Sequence, residues 1–297
     1  MVVLIVVGAG AAVAGFVALL ARRWPVIEAP SVSGQTLTAE VDKHPKLADH
    51  LRRHFNPKTE TGIALSVATS VVLAAGVGIG LVVAMIRSKS GLSSFDLRFA
   101  RYGAQHSTSW STSAMRAISQ LGGTSGVVTL AVIATVVEYV RRPSRAVPLF
   151  MTLVVAGQFA LSNGIKYIVD RARPDLGRLT GFAGSSFPSG HATAASATLA
   201  AIALIATRNR SRRTKIAGAS IAAGAAVLVA GTRVFLGVHW FTDVIAGLLL
   251  GWGWFALCSI AFGGRLLTFG VPVAEAEQIA DATLVSPWPT TGRRSLV

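Results

Sequence analysis

Three short stretches of the chain carry side chains that could do chemistry on an anion. KYIVDRARPD, residues 166–175, sets Lys166, Arg171 and Arg173 directly after a run, 146–165, that holds no charged residue. SSFPSGHAT, 185–193, offers the Ser189 hydroxyl, the Gly190 backbone and the His191 imidazole, and TRVFLGVHWFTD, 232–243, adds Arg233, His239 and Asp243. Singly, each has a structural reading: Lys166 and Arg173 can snorkel at a membrane boundary, His191 can cap a helix, and Arg233 can anchor an interface. Together they are the parts needed to move a phosphoryl group. That chemistry calls for cations and backbone donors on the equatorial oxygens, a nucleophile in line with the leaving group, and an acid for the departing oxygen. Pro174 disfavours helix at Arg173 and turns the chain outward. Gly190 permits close backbone approach, and a helix starting near His191 aims its free amides at an anion. His239 and Asp243, four apart, share a face if helical. The carboxylate can then accept a hydrogen bond from one ring nitrogen and leave the other to attack phosphorus. An aspartate at the start of an apolar run is costly, which favours a functional role.

The elements that must position these groups are apolar. Of 297 residues, 52% are hydrophobic and 14% charged, and the uncharged runs 1–21, 62–86, 146–165, 216–232 and 244–264 are each about long enough to cross ~30 Å of hydrocarbon as helix. Two weaker runs, 126–141 with Glu138 and 192–207, bring the expected crossings to seven. The net charge of +15 is read as topology charge, not as a nucleic-acid footprint, because the basic residues cluster in short loops between apolar runs. The single cysteine, Cys258, can form no intrachain disulfide and is expected to face lipid or pack in the core.

RRPSR (141–145), RNRSRRTK (208–215) and Arg22–Arg23 are the cytoplasmic markers. Seven crossings then put the chain's start outside, its end inside, and the loops 88–125, 166–191 and 233–243 on the external face. The first run is read as a retained anchor, since it lacks the basic leading region of a secretory signal. FDLRFARYG, in the first external loop, is expected to be an interfacial helix. The segment 24–61 reads as a cytoplasmic linker with a possible interfacial helix around Leu47, Leu51 and Phe55. Its His44, His50 and His54 lack partners at metal-ligand spacing.

Lys166 and Arg173 followed by Pro174, the tetrad PSGH, and Arg233 with His239 and Asp243 stand in the order and spacing of the three signatures of the type 2 phosphatidate phosphatase family. The chain resembles that family over about residues 90–262, and among its members the bacterial polyprenyl diphosphate phosphatases. The one departure is Thr232, where serine is usual; it keeps the hydroxyl. The resemblance implies an all-α, polytopic membrane bundle: a six-helix phosphatase core within 62–264, an added N-terminal transmembrane helix at 1–23, the linker 24–61 and a cytoplasmic tail 265–297. It implies that His239 is the nucleophile and forms a phosphohistidine, that Asp243 orients it, and that His191 is acid and then base. Lys166, Arg173, Ser189, Gly190 and Arg233 would bind the phosphate, and Arg171 is expected to contact the head group. No metal or cofactor is called for. The expected partners are a membrane lipid phosphate and the bilayer, without nucleic acid, in a plasma (inner) membrane with the site on the extracytoplasmic side. A polyprenyl diphosphate is the first substrate expected, and phosphatidate or phosphatidylglycerol phosphate the second, with the loop 175–184 reading the head group. A transporter using the same polar groups without turnover is the reading from another class.

Overall fold

Small residues decide how closely the helices of this protein approach. In the computed structural model, which describes residues 1–23 and 60–267, they run as α1 (Val2–Arg23), α2 (Glu60–Ser88), α3 (Asp96–His106), α4 (Ser109–Ser119), α5 (Thr124–Arg141), α6 (Ala146–Val169), α7 (Gly190–Thr207), α8 (Arg212–Phe235) and α9 (Phe241–Leu267). Short 3-10 turns precede α3 and α5. All but α3 and α4 are long and apolar enough to span a membrane, seven in all among the described residues. These seven fall on the seven expected runs, and no strand occurs among the described residues. The linker expected over 24–61, except its last two residues, and the tail beyond Leu267 lie outside the described residues.

The central helix is α7. Its Ala192, Ala194, Ala195, Ala197 and Ala201 are all buried, so α6, α8 and α9 can close around it. Gly247 and Gly251 on α9 form a small-xxx-small pair against it: a β-carbon at Gly251 would stand 2.0 Å from Ser196 Oγ and 2.4 Å from the Thr193 carbonyl. The same device seats α1 on α8, where a β-carbon at Gly10 would fall 2.8 Å from the Gly224 carbonyl. The outer tip of α1 then reaches the turn after α8, as Val2 and Val6 share a buried cluster with Phe235, Leu236 and Val238. Cys258 lies in the cluster between α6, α7 and α9, so of its two expected places it takes the core.

Antiparallel connections put the α5–α6 and α7–α8 turns at one end of the bundle. Glu138, the acid inside a spanning run, is answered there: its carboxylate accepts from the Arg208 guanidinium at 2.6 Å, tying the ends of α5 and α7. The turns after α6 and α8 and the starts of α7 and α9 share the other end. There α3 does more than lie on an interface. Phe99 packs 4.8 Å from Phe241, and Asp96, Ala100 and Gly103 are buried against the bundle.

Candidate active site

Helix α6 delivers Lys166 in its last turn and stops at Asp170, which adopts the left-handed conformation (φ 35°). The chain then crosses the bundle's end, and Arg173 stitches it to two other loops. Its Nε donates to the Gly184 carbonyl at 2.9 Å, its Nη2 to those of Ala183 and Ser185, and its Nη1 to that of Val238 at 2.7 Å. The same Nη1 lies 3.2 Å from His239 Nε2. Four backbone acceptors leave this cation one orientation, which faces the imidazole.

The PSGH tetrad begins α7. Ser189 donates its backbone N–H to the Asp243 carbonyl at 3.0 Å, while its buried Oγ has no partner in the protein. A β-carbon at Gly190 would stand 3.7 Å from both Lys166 Nζ and Ser162 Oγ, so glycine keeps the first amides of α7 open to whatever those groups hold. Gly122, which ends the 3-10 turn before α5, and Gly123 after it let that segment lie against His191. A β-carbon would meet the His191 carbonyl at 2.7 Å from the first and His191 Nε2 at 3.6 Å from the second. Lys166, Arg173, Arg233 and His239 all stand close enough to act electrostatically on the His191 ring.

At the end of α8, Arg233 is buried and donates from Nη1 to Ser119 Oγ at 2.8 Å, while its Nε has no partner in the protein. Gly237, at φ 72°, makes the turn that brings His239 back beneath it. The imidazole is 2% exposed, and Nδ1 stands 2.8 Å from the Ser186 carbonyl. A carbonyl can only accept, so Nδ1 carries the proton and Nε2 keeps its lone pair, directed at Arg173. Asp243 Oδ2 lies 3.6 Å from Nδ1. The direct hydrogen bond expected from the four-residue spacing is therefore made by the Ser186 backbone instead, because α9 begins at Phe241 and His239 precedes it. Burial is the main force holding the His239 imidazole down, at about 4; Asp243 pulls the other way, and Arg173 and Arg233 add to the depression.

Arg171 does not face outward to a head group. Its Nη1 donates to Asp243 Oδ1 at 2.6 Å and its Nη2 to Asp96 Oδ2 at 2.8 Å, with the guanidinium 5.6 Å over the Trp240 ring. Its charge is committed to two buried carboxylates by charge-assisted hydrogen bonds, which corrects the expected head-group contact. Two residues of this network had no role in the sequence reading. Ser186 accepts from His239 Nδ1 through its carbonyl and donates its hydroxyl to Asp243 Oδ2. Asp96 accepts from Arg171, from the Thr242 amide at 2.9 Å and from the Thr242 hydroxyl. Ser186 sits in SSFPSGHAT and Asp96 interrupts the apolar pattern of SSFDLRFA, but neither spacing names a partner.

The profile of the PAP2 superfamily matches residues 146–266, which hold all three motif loops. Phosphatidylglycerophosphatase B of Bacillus subtilis is 34% identical over 145 residues, covering 48% of this chain and 70% of that protein. The chain belongs to the PAP2 superfamily. A second relative, the lipid A 1-phosphatase of Rhizobium etli, is 39% identical over 145 residues, covering 43% of this chain. The match spans 56% of that relative's length. The crystal structure of a transmembrane PAP2-type phosphatidylglycerolphosphate phosphatase from Bacillus subtilis aligns with a TM-score of 0.59 and 28% identity, over 68% of this chain and 98% of that one. Asp96 and Ser119 lie outside the segment matched by the PAP2 profile, yet they hold Arg171 and Arg233 of the site within it.

Proposed function

We propose that this PAP2 chain removes the terminal phosphate of a membrane lipid through a phosphohistidine on His239. The observation that carries the reading is the fixed tautomer: Nδ1–H is held by the Ser186 carbonyl while Nε2 faces Arg173 Nη1 at 3.2 Å. A phosphate oxygen bound by Arg173 brings its phosphorus beside the nitrogen lone pair. Lys166, Arg233, the Ser189 hydroxyl and the Gly190 amide take the remaining oxygens. The unpartnered Arg233 Nε and Ser189 Oγ are donors that such an anion would satisfy.

His239 Nε2 attacks phosphorus, the bond to the lipid oxygen breaks, and His191 gives that oxygen its proton. His191 then takes a proton from water, whose oxygen attacks the phosphohistidine, releasing inorganic phosphate and restoring His239. Asp243, held by Arg171, the Trp240 amide at 2.8 Å and Ser186, stabilises the charge that develops on the imidazole. The arginines and Lys166 supply the charge neutralisation that metal ions give in kinases.

Among substrates, phosphatidylglycerol phosphate draws support from the Bacillus subtilis phosphatase names. Polyprenyl diphosphate, expected first from the sequence, presents the same terminal group and is the rival. Phosphate release in detergent from both lipids, from phosphatidate and from a soluble monoester ranks them. His239→Ala is expected to abolish release while the protein still binds lipid, and His191→Ala to lower it strongly, because both steps use that imidazole. Substantial turnover by His239→Ala would overturn the mechanism, and binding without release by the wild-type protein would favour the transporter.

A further inference from the structure

Beside the phosphate cluster stands a second cation that the mechanism leaves unused. Arg178 lies in the loop 175–184, with its guanidinium 4.7 Å over the Phe182 ring, and Arg173 lies 5.0 Å from the same ring. Both guanidiniums are therefore within about 10 Å of each other, separated at most by one aromatic side chain. They are near enough for Arg178 to act electrostatically on Arg173.

The loop is anchored, so Arg178 is presented and not merely tethered. Leu179 donates its backbone N–H to the Leu236 carbonyl at 3.0 Å, and its own carbonyl accepts from Arg116 Nε at 2.8 Å. A β-carbon at Gly237, two residues before His239, would meet the Gly177 carbonyl at 3.3 Å and Arg178 Cα at 3.6 Å, which places the Arg178 backbone directly against the nucleophile's turn. Arg178 Nε donates to the Pro174 carbonyl at 2.8 Å. Its Nη2 has only a long contact, 3.4 Å, to Asp175, whose side chain is 93% exposed. The loop thus uses one edge of the guanidinium, and the other edge, on a side chain one-third exposed, faces a weak and solvated partner.

We infer that Arg178, stacked on Phe182 beside Arg173, binds the phosphate that the lipid retains when the terminal one is removed. The inference rests on the phosphatase reading and names its substrate class: a lipid with two phosphates close together, whether a diphosphate or a phosphomonoester beside a phosphodiester. Arg173 takes an oxygen of the group transferred, and Arg178 offers a fork to the neighbouring one. Stacking and the Pro174 hydrogen bond pre-order that fork, so little side-chain freedom is lost when the anion arrives. A lipid with a single phosphate offers Arg178 nothing.

The test compares kcat/KM for phosphatidylglycerol phosphate and for a polyprenyl diphosphate with that for phosphatidate, using the full chain in detergent. In Arg178→Gln each ratio of a two-phosphate lipid to phosphatidate is expected to fall about tenfold or more, through KM, and Arg178→Lys is expected to restore part of it. If Arg178 only staples the loop, all three lipids suffer alike and the ratios stay constant, which overturns the inference. A binding arm needs no turnover: methylenediphosphonate should bind the wild-type protein more tightly than phosphate does, and Arg178→Gln should erase that preference. A wild-type protein that keeps the preference but hydrolyses no lipid sinks the phosphatase reading and leaves the subsite standing. Equal affinity for the two anions in wild type sinks the subsite.

Discussion

At His239 the two ring nitrogens do different work, and the pH dependence follows from that division. Attack requires a neutral imidazole. With the group held at about 4 by burial and by Arg173 and Arg233, the neutral form persists from neutral pH down to that value, and protonation removes the nucleophile below it. On the acid side kcat/KM is expected to fall toward tenfold per unit below about pH 4, and on the alkaline side to fall as His191 loses the proton that the leaving oxygen needs. An acid limb centred between 6 and 7, the ordinary histidine range, would assign the attacking group elsewhere. The Asp96–Arg171–Asp243 chain gives a second outcome at this scale. Asp96→Asn takes one carboxylate from Arg171, which keeps Asp243, and is expected to lower stability by about 1–2 kcal/mol. It should also lower kcat about tenfold with KM little changed, because Asp243 then shares its charge more fully with Arg171 and less with the imidazole. A change confined to KM would restore Arg171 to the head-group role expected of it from sequence. Residues with unusual chemistry at recognisable spacing, such as His191, His239 and Arg173, were legible. Ser186 was not, because half its contribution is a backbone carbonyl, and a carbonyl leaves no trace in the sequence.

Among the elements, hydropathy alone located every spanning helix of the described residues, since a helix satisfies its backbone within one apolar segment. How the helices seat was less legible. The α3 stretch has the pattern of an interfacial helix, and its second task, placing Asp96 beneath Arg171, depends on Phe99 meeting Phe241 from a distant part of the chain. The α7–α9 contact could have been read from the spacing of Gly247 and Gly251, but not with its partners. That contact sets the distance between His191, on α7, and the turn that holds His239. A side chain at Gly251 collides with the Thr193 carbonyl, which is backbone and cannot swing aside. Gly251→Leu is accordingly expected to cost on the order of 1–3 kcal/mol or more, and to lower kcat by a larger factor than the fall in folded protein explains. Gly76→Ala on α2, where a β-carbon meets nothing within 4 Å, is the control and should lower neither melting temperature nor rate. If Gly251→Leu keeps full kcat in the folded fraction, the helix contact does not set the site's geometry.

For the whole molecule, the remaining question is which side of the membrane the site faces, and charge bears on it. Cations occur at both ends of the bundle, but they are disposed differently. At the site's end Arg171 and Arg233 are turned inward on Asp96, Asp243 and Ser119, and the exposed Arg87, Lys89, Arg98, Arg101, Arg116 and Arg178 are spread over two long connections, whereas Arg141, Arg142, Arg145, Arg210, Arg213 and Lys215 are exposed in two short ones at the opposite end. Orientation follows the density of positive charge in short loops, and the second set is concentrated in two such loops, held together by Glu138 and Arg208. The end without the site should therefore stay in the cytoplasm. Single cysteines test this directly, because the native Cys258 is buried and should not react with an impermeant thiol reagent. Arg142→Cys is expected to label only in inverted vesicles, and Gly181→Cys, in the loop beside Phe182 where a side chain meets nothing within 4 Å, only in intact cells. The reverse pattern would put the phosphate cluster in the cytoplasm, where soluble phosphate esters compete for it, and the case for an external lipid would fall even with the histidine chemistry intact.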